Sequence, residues 1–267
     1  MTWDAWIAQW GAHMRAAGAR PGTVALRTYQ LERCALEIGG TPAGVTGDVL
    51  TEWMGSRGWS RGTLRSFRAA LRSFYGWAET TGRVASSPAG NLPSPGVPPP
   101  NPRPTPEVAY RHALTHADER VRLMIRLAAE LGLRRAEVAA VHARDVEPDL
   151  VGYSLRVDGK GGKVRMVPMP EDLARAVLRR AAGGYAFPGD DGGHLSPRWV
   201  GRLVSRLMPE GWSMHSLRHR AATRWYAIDR DLLTTQQLLG HSSPATTQAY
   251  VVPPDDARRR LVLAAAS

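Results

Sequence analysis

Apolar side chains recur every three or four residues through most of this chain, which is the periodicity of amphipathic helices. In the first third the pattern predicts helices near 2–17, 22–38, 46–56 and 60–81. Further along it predicts helices near 106–116, 118–131, 135–142, 170–181, 196–208, 215–227, 231–239 and 244–251. The stretches YSLRV (153–157) and KVRMVP (163–168) alternate instead, so the DGKGGK turn between them predicts a β-hairpin. The expected fold class is mainly α with a small β-hairpin or sheet.

A proline-rich segment divides this pattern into two parts. Residues 91–106, NLPSPGVPPPNPRPTP, contain eight prolines, which cannot continue a helix and favour an extended, semi-rigid chain. We therefore expect a helical domain over 1–90, a linker over 91–106 and a second domain over 107–267. Neither part shows an internal repeat.

The charge composition indicates what kind of molecule the protein binds. The chain has 35 Lys and Arg residues against 24 Asp and Glu, a formal net charge of +11. This charge favours a phosphate polymer as partner, with an anionic membrane surface as the alternative. No run reaches the ~18 apolar residues of a membrane span, and the start lacks the features of a secretory signal. The single cysteine, Cys34, is expected in the core and fits a reducing cytoplasm.

The fourth predicted helix carries a positive stripe beside its apolar face. Four arginines follow helical spacing with no acid between them: Arg61, Arg65, Arg68 and Arg72. A solvated surface face is one interpretation. In a protein of this charge, the stripe favours contacts with DNA phosphates.

Reactive side chains concentrate in four segments of the second part. These are LGLRRAEVAAV (131–141), DGKGGK (158–163), HSLRHRAATRWY (215–226) and LLGHSSPATTQAYV (238–251). A metal-free phosphoryl transfer needs fixed cations, a nucleophile and a proton donor, and the arginines, histidines, lysines and tyrosine of these segments supply each. No acids cluster there for two-metal chemistry, so neither a metal nor another cofactor is expected.

The two lysines of the chain are unusual because the other basic residues are all arginine. Lys160 and Lys163 both lie in the predicted hairpin turn. The glycines of that turn do not form GxxxxGK[ST], so nucleotide binding is not expected. His112 and His116 have the i, i+4 spacing of a chelating pair, but no third ligand lies near them in sequence.

Taken together, in this order and spacing, the segments resemble the sequence boxes of the tyrosine recombinases of the phage-integrase type, which include the Xer proteins. GLRRAE resembles the box of the first catalytic arginine, at Arg134, and its supporting acid, at Glu137. HSLRH resembles the His-x-x-Arg box, at His215 and Arg218. Leu131 departs from the threonine that the family often has there.

The remaining two segments complete the resemblance. LLGHSSPATTQAY resembles the last box, with a second histidine at His241 and the nucleophile at Tyr250. GKGGKVRMVP resembles the family hairpin, whose catalytic lysine is the first of the two, Lys160. Lys163 is then expected to contact the DNA backbone, although it is the alternative candidate for the acid. His219 and its neighbour Arg220 are expected to be structural or to face a phosphate.

The resemblance implies a mechanism in which Tyr250 attacks a DNA phosphate, leaving a 3′-phosphotyrosine and a free 5′-hydroxyl. Arg134 and Arg218 would hold the non-bridging oxygens. His215 and His241 would hydrogen-bond the phosphate or assist the tyrosine proton. The 5′-oxygen needs a proton to leave, and a lysine among other cations can supply it, whereas an arginine cannot.

The resemblance also implies an architecture and partners. A SAM-like helical core-binding domain and a mixed α/β catalytic domain would form a clamp around double-stranded DNA, acting as a homotetramer on synapsed sites through a Holliday junction. Arg198, Arg202 and Arg206 would contact DNA, with a surface face as the alternative. The tail after Tyr250, VVPPDDARRRLVLAAAS, has two prolines and then the pattern of a short amphipathic helix, which we expect to dock on a neighbouring protomer. No arm-binding domain is expected, an accessory directionality factor is a further partner, and the location is the bacterial cytoplasm, at the nucleoid.

The sequence is also compatible with two other functions. A type IB topoisomerase would use the same cleavage chemistry without exchanging partners, and relaxation of supercoils without junction formation would identify it. A DNA-binding regulator would have a decayed active site, which the six filled catalytic positions argue against.

Overall fold

The computed structural model describes residues 1–96, 101–159, 162–240 and 262–266, which belong to two compact units, Met1–Pro99 and Pro100–Ser267. The helices of the first unit are α1 (Trp3–Ala16), α2 (Pro21–Ile38), α3 (Gly47–Gly55) and α4 (Arg61–Thr80). Each lies within one residue of its predicted bounds. The side chains of Thr2, Thr46 and Ser60 accept N–H groups at the starts of α1, α3 and α4, which explains where these helices begin.

Aromatic rings form much of the core of the first unit. Trp3, Trp6 and Trp10 of α1 surround Phe74 of α4, at centroid distances of 5.8, 6.2 and 5.5 Å. Such pairs each add about 0.5–1.5 kcal/mol beyond the burial of their area. Cys34 is fully buried here, and burial, followed by the nearby charge of Glu37, raises the pKa of its thiol to about 12. It is the core residue that the sequence predicts.

The second unit is mostly helical. Its helices are α5 (Glu107–His116), α6 (Glu119–Glu130), α7 (Arg135–Ala139), α8 (Glu171–Ala181), α9 (Pro197–Ser205), α10 (Met214–Asp229) and α11 (Leu232–Leu239). Its strands are β1 (Val146–Pro148), β2 (Tyr153–Asp158) and β3 (Val164–Met169). The helix expected near 244–251 lies outside the described residues, and 262–265 are helical. The mainly helical fold class with a small sheet is confirmed.

The strands form an antiparallel sheet in the order β1-β2-β3. The predicted hairpin is confirmed, since β2 pairs with β3 up to Asp158 and Val164, and the N–H of Gly159 donates to the carbonyl of Lys163 at 2.7 Å. Strand β1 was not predicted because three residues ending in proline are too short to show alternation. Helix α7 is shorter than predicted, since the chain turns into a 3₁₀ segment at Ala143–Asp145.

Helix α6 lies at the centre of the second unit, where Met124, Ile125 and Leu127 are fully buried. Helix α10 packs against it. Arg220 of α10 lies 3.8 Å from the ring centre of Tyr110 and pairs with Glu107 at 2.8 Å, so its role here is structural, one of the two expected for it. This packing fixes the N-terminal half of α10, which carries the HSLRH segment.

Both units extend into the proline-rich segment. Leu92 is 3% exposed and belongs to the core of the first unit. Thr105, 3% exposed, donates its N–H to the carbonyl of Ser216 and makes a 2.8 Å hydroxyl hydrogen bond to the same residue. Within the described ranges, no helix has the length and apolar character needed to cross a membrane.

Candidate active site

Arg134 stands at the start of α7, directly after a tight turn. Gly132 in this turn has φ +61°, and a Cβ added there would lie 2.8 Å from Cη2 of Trp225. Glycine is therefore needed for the backbone conformation and for the close approach. The turn buries Leu133 completely and leaves the side chain of Arg134 34% exposed.

Glu137 holds Arg134 in two ways. Its carboxylate accepts the backbone N–H of Arg134 and, through the other oxygen, Nη1 of the same residue, both at 2.8 Å. Glu137 therefore both caps the start of α7 and orients the side chain of Arg134.

The same carboxylate also binds Arg165 of β3, which is not among the residues predicted from the sequence. Nη1 and Nη2 of Arg165 donate to the two oxygens of Glu137 at 3.0 and 2.8 Å. Burial would raise the pKa of Glu137, but the hydrogen bonds and charge of Arg165, then those of Arg134, lower it to about 2. Glu137, 5% exposed in its side chain, is thus an anion at neutral pH.

Arg218 projects from α10 into the same cluster. Its Nη1 donates to the carbonyl of Gly132 and lies 3.7 Å from Glu137, and its Nη2 donates to the carbonyl of Leu239 at 2.6 Å. Only 1% of the side chain is exposed. The backbone carbonyls and the carboxylate therefore fix the guanidinium plane.

A cleft of about 580 Å³ opens beside these groups. It is lined by Leu133, Arg134, Arg135, Arg198, Gly201, Arg202, Ser205, Ser213, Met214, His215 and Arg218. Among the described residues the lining holds five arginines and one histidine, without an acid. A cleft of this charge favours a phosphate group as its occupant.

His215 lies one turn before His219 on α10, with their Nε2 atoms 3.1 Å apart. Partial burial, with the charges of Arg218 and Arg134, lowers the pKa of His215. Burial, then the charges of His215 and Arg218, lowers that of His219 to about 4. Both rings are neutral at neutral pH, and a neutral imidazole can accept a proton or donate one N–H.

The remaining predicted residues of the active site belong to the hairpin turn and to the last sequence box. Lys163 is exposed at the base of the hairpin turn. Lys160, His241 and Tyr250 lie outside the described residues.

Exposed arginines lie along α9 and at its C-terminal end. Arg198, Arg202 and Arg206 are all exposed, and two of them flank a tryptophan: the guanidinium carbons of Arg202 and Arg206 lie 5.1 and 5.8 Å from the ring centre of Trp199. Gly201 brings Arg135 close, since a Cβ at that position would meet its Cδ at 2.7 Å. Arg135 and the aromatic Trp199 were not identified from the sequence.

The arginines of α4 differ among themselves. Arg61, Arg65 and Arg72 are exposed, whereas Nε of Arg68 donates to the carbonyl of Leu92 at 2.9 Å. Arg68 therefore also ties the end of the first unit to α4.

No group of three or more metal-binding side chains occurs within the residues that the structure describes. The histidine pair of α5 forms a local contact instead. Nδ1 of His116 lies 2.8 Å from the carbonyl oxygen of His112, and the two rings are 4.2 Å apart.

The chain is similar in sequence to known proteins of one family. The sequence profile of the phage integrase family matches residues 107–255. Tyrosine recombinase XerC of Xanthomonas campestris pv. campestris is 36% identical over 220 residues, 73% of this chain and 65% of that protein. XerC of Corynebacterium glutamicum is 32% identical over 228 residues, 76% of this chain and 72% of that protein. The chain thus spans about 65% of the length of the first curated relatives that it matches.

Solved structures show the same fold. The XerH site-specific recombinase bound to a palindromic difH substrate, in a post-cleavage complex, superposes with a TM-score of 0.72 at 21% identity, covering 94% of this chain and 81% of that one. A lambda integrase dimer bound to a COC′ core site gives a TM-score of 0.73 at 16% identity, covering 94% of this chain and 77% of that one.

Proposed function

This chain belongs to the phage integrase family of tyrosine recombinases, and from that premise we propose that it is a site-specific DNA recombinase. It cleaves and rejoins duplex DNA through a 3′-phosphotyrosine at Tyr250 and a Holliday junction. The observation that carries the proposal is the convergence of Arg134, at the start of α7, with His215 and Arg218, both on α10, on one cleft that is rich in arginine.

The arginines supply the positive charge that the reaction needs. In the transition state the attacked phosphate has two non-bridging oxygens that carry negative charge, and fixed guanidinium groups stabilise it without reorganising. Glu137 holds Arg134 at 2.8 Å, and backbone carbonyls hold Arg218. Their orientation is therefore set before DNA binds, which lowers the entropic cost of the reaction.

His215 and His241 assist the phosphate and the nucleophile. A DNA phosphodiester in the cleft carries one negative charge and would favour protonation of His215, whose pKa partial burial and the neighbouring arginines lower in the free protein. In its neutral form the ring can accept the phenolic proton of Tyr250, and in its charged form it can donate to a phosphate oxygen.

Lys160 donates the proton that the 5′-oxygen needs to leave. Its position in the hairpin turn, three residues before Lys163, supports this role through the sequence resemblance. Surrounding cations lower the pKa of a lysine and so bring its proton within reach of an alkoxide.

Duplex DNA is the proposed partner of both units, over 1–90 and 107–267, joined by the segment 91–106. Contacts to its backbone are proposed for the exposed basic residues named above: Arg61, Arg65, Arg72, Lys163, Arg198, Arg202 and Arg206, with Arg68 as a contact of the same stripe. A homotetramer on two synapsed sites, an accessory directionality factor and a place at the bacterial nucleoid complete the proposal.

A nicked suicide duplex tests the proposal. The site is first recovered by selecting bound duplexes from a random library, and a nick near the scissile phosphate then lets the leaving strand diffuse away. Wild type should form a covalent complex that survives denaturation, whereas Tyr250→Phe should bind the duplex without forming it. Tyr226→Phe is the matched control and should behave as wild type.

Two results separate the alternatives. No covalent complex from wild type, on a duplex that it demonstrably binds, would contradict the enzyme assignment. Relaxation of supercoils without junction formation between two sites would identify a type IB topoisomerase instead.

A further inference from the structure

Three guanidinium groups meet one carboxylate in the second unit. Arg134, Arg165 and Arg218 reach Glu137 from α7, β3 and α10, at shortest distances of 2.8, 2.8 and 3.7 Å. Two of these arginines line the cleft, and Arg165 does not. The role of this third arginine follows from what it binds.

Arg165 is fixed on three sides. Besides the paired hydrogen bonds to Glu137, its Nε donates to the carbonyl of Leu238 at 2.8 Å. The side chain is 10% exposed. A Cβ added to Gly240, which has φ +64°, would lie 3.0 Å from Cδ of Arg165, so the arginine also fills the space beside this glycine. The planar guanidinium group of an arginine, with its five N–H donors, can make all of these hydrogen bonds at once, whereas the ammonium group of a lysine cannot.

The end of α11 is the second element that this cluster holds. The carbonyls of Leu238, Leu239 and Gly240 accept from Arg165, Arg218 and Arg134, respectively. The C-terminus of a helix carries partial negative charge, so three guanidinium groups are favourable there. The chain continues from this point into His241 of the last sequence box.

Arg165 also changes the net charge of the cluster. The carboxylate of Glu137 with only Arg134 and Arg218 would have a net charge of +1 beside the cleft. With Arg165 added, the net charge of the cluster is +2. Arg165 also binds both oxygens of the carboxylate that Arg134, 34% exposed in its side chain, holds through Nη1.

We infer that Arg165 is a positioning residue for the proposed phosphoryl transfer, acting through Glu137 and the end of α11. It fixes Glu137 from the hairpin side, leaves Arg134 and Arg218 directed at the phosphate, and sets where the segment after Gly240 begins. The inference rests on the proposed function for its effect on rate, and on the contacts alone for its effect on α11.

Arg165→Lys is the direct test, because it keeps the charge and removes the fork. Arg156→Lys is the matched control, since Arg156 lies on the neighbouring strand and pairs with Asp158 at 3.2 Å in an exposed ion pair. The single-turnover rate of covalent complex formation, at saturating protein, should fall roughly 10²-fold for Arg165→Lys. Its Kd for the duplex should stay at the wild-type value, and Arg156→Lys should change neither quantity.

A double-mutant cycle tests whether Arg165 acts through Glu137. Glu137→Gln alone should also slow the reaction, and adding Arg165→Lys to it should slow the reaction little further. Fully multiplicative losses, or an equal loss in the Kd, would overturn the positioning role. If a single variant fails to fold, the double variant Arg165→Gln, Glu137→Gln can be used in its place. It removes both charges of the pair, so neither is left buried without its partner.

Amide hydrogen exchange tests the same contacts without DNA. The amides of Leu239 and Gly240 should exchange faster in Arg165→Lys than in wild type, while those of Leu123 and Leu127 in α6 keep their protection. Unchanged exchange at the end of α11 would overturn the inference. This readout stands even where wild type forms no covalent complex, an outcome that would contradict the proposed function alone.

Discussion

At the scale of single residues, the proposed cleavage chemistry depends on which basic groups can release a proton. Arginine stays charged in proteins, so it can bind a phosphate but cannot protonate a leaving oxygen. His215 and His219 have lowered pKa values, and both are neutral near pH 7. The proton donor that we propose is therefore a lysine of the hairpin turn.

Replacing Lys160 should separate proton donation from phosphate binding. Lys160→Ala is expected to slow cleavage by about 10²–10⁴-fold, the range for a lost general acid. A substrate with a 5′-sulfur leaving group needs no proton, so it should restore the rate of the variant. Lys163→Ala serves as the control and should weaken binding more than cleavage. A Lys160→Arg variant as active as wild type would contradict the role.

Glu137 should make stability depend on pH in acid. Its pKa is about 2 in the folded protein against a usual value of 4.5, so the unfolded chain binds a proton first as the pH falls. The stability gained is fully present above about pH 5 and is lost towards pH 2, by about 3 kcal/mol. The difference in unfolding free energy between wild type and Glu137→Gln, measured with urea across this range, should shrink accordingly. A difference that is constant with pH would contradict the assignment.

At the scale of the elements, the turn before α7 places the first arginine. Gly132→Ala forces a side chain into a left-handed backbone and against Trp225. It should lower the free energy of unfolding by about 2–4 kcal/mol. Gly76→Ala, in the open interior of α4, should instead stabilise the protein by about 0.5–1 kcal/mol. Urea denaturation of both variants measures the two effects, and equal effects would argue against a special turn.

Most elements could be predicted because their signal is local. The helices of the first unit follow from apolar spacing and from capping residues, and the hairpin follows from alternation around a glycine-rich turn. The site residues that could not be predicted are those whose role depends on contacts with residues distant in sequence. Arg165 shares the buried face of β3 with Val167 and Met169, so alternation could have identified it as a buried charge that needs a partner. Nothing local shows that this partner is Glu137.

At the scale of the whole molecule, the net charge of +11 predicts binding to DNA that depends strongly on salt. Arg61→Gln with Arg65→Gln should reduce the slope of log K against log salt by about two, one for each phosphate contact. Arg15→Gln with Arg20→Gln removes the same charge from other exposed positions of the first unit and should change the slope little. Equal changes would mean that net charge alone, and not the stripe on α4, determines binding.

The proposed function makes one claim that a single measurement addresses, namely that Tyr250 carries the DNA. Trypsin cleavage after Arg230 and Arg258 yields the peptide 231–258, which contains Tyr250, whereas Tyr226 falls in the peptide 225–230. After the suicide duplex has reacted and its DNA has been digested by nuclease, mass spectrometry should find a nucleotide on Tyr250 within 231–258, joined through a 3′-phosphate. A nucleotide on another residue, or joined through a 5′-phosphate, would contradict the account.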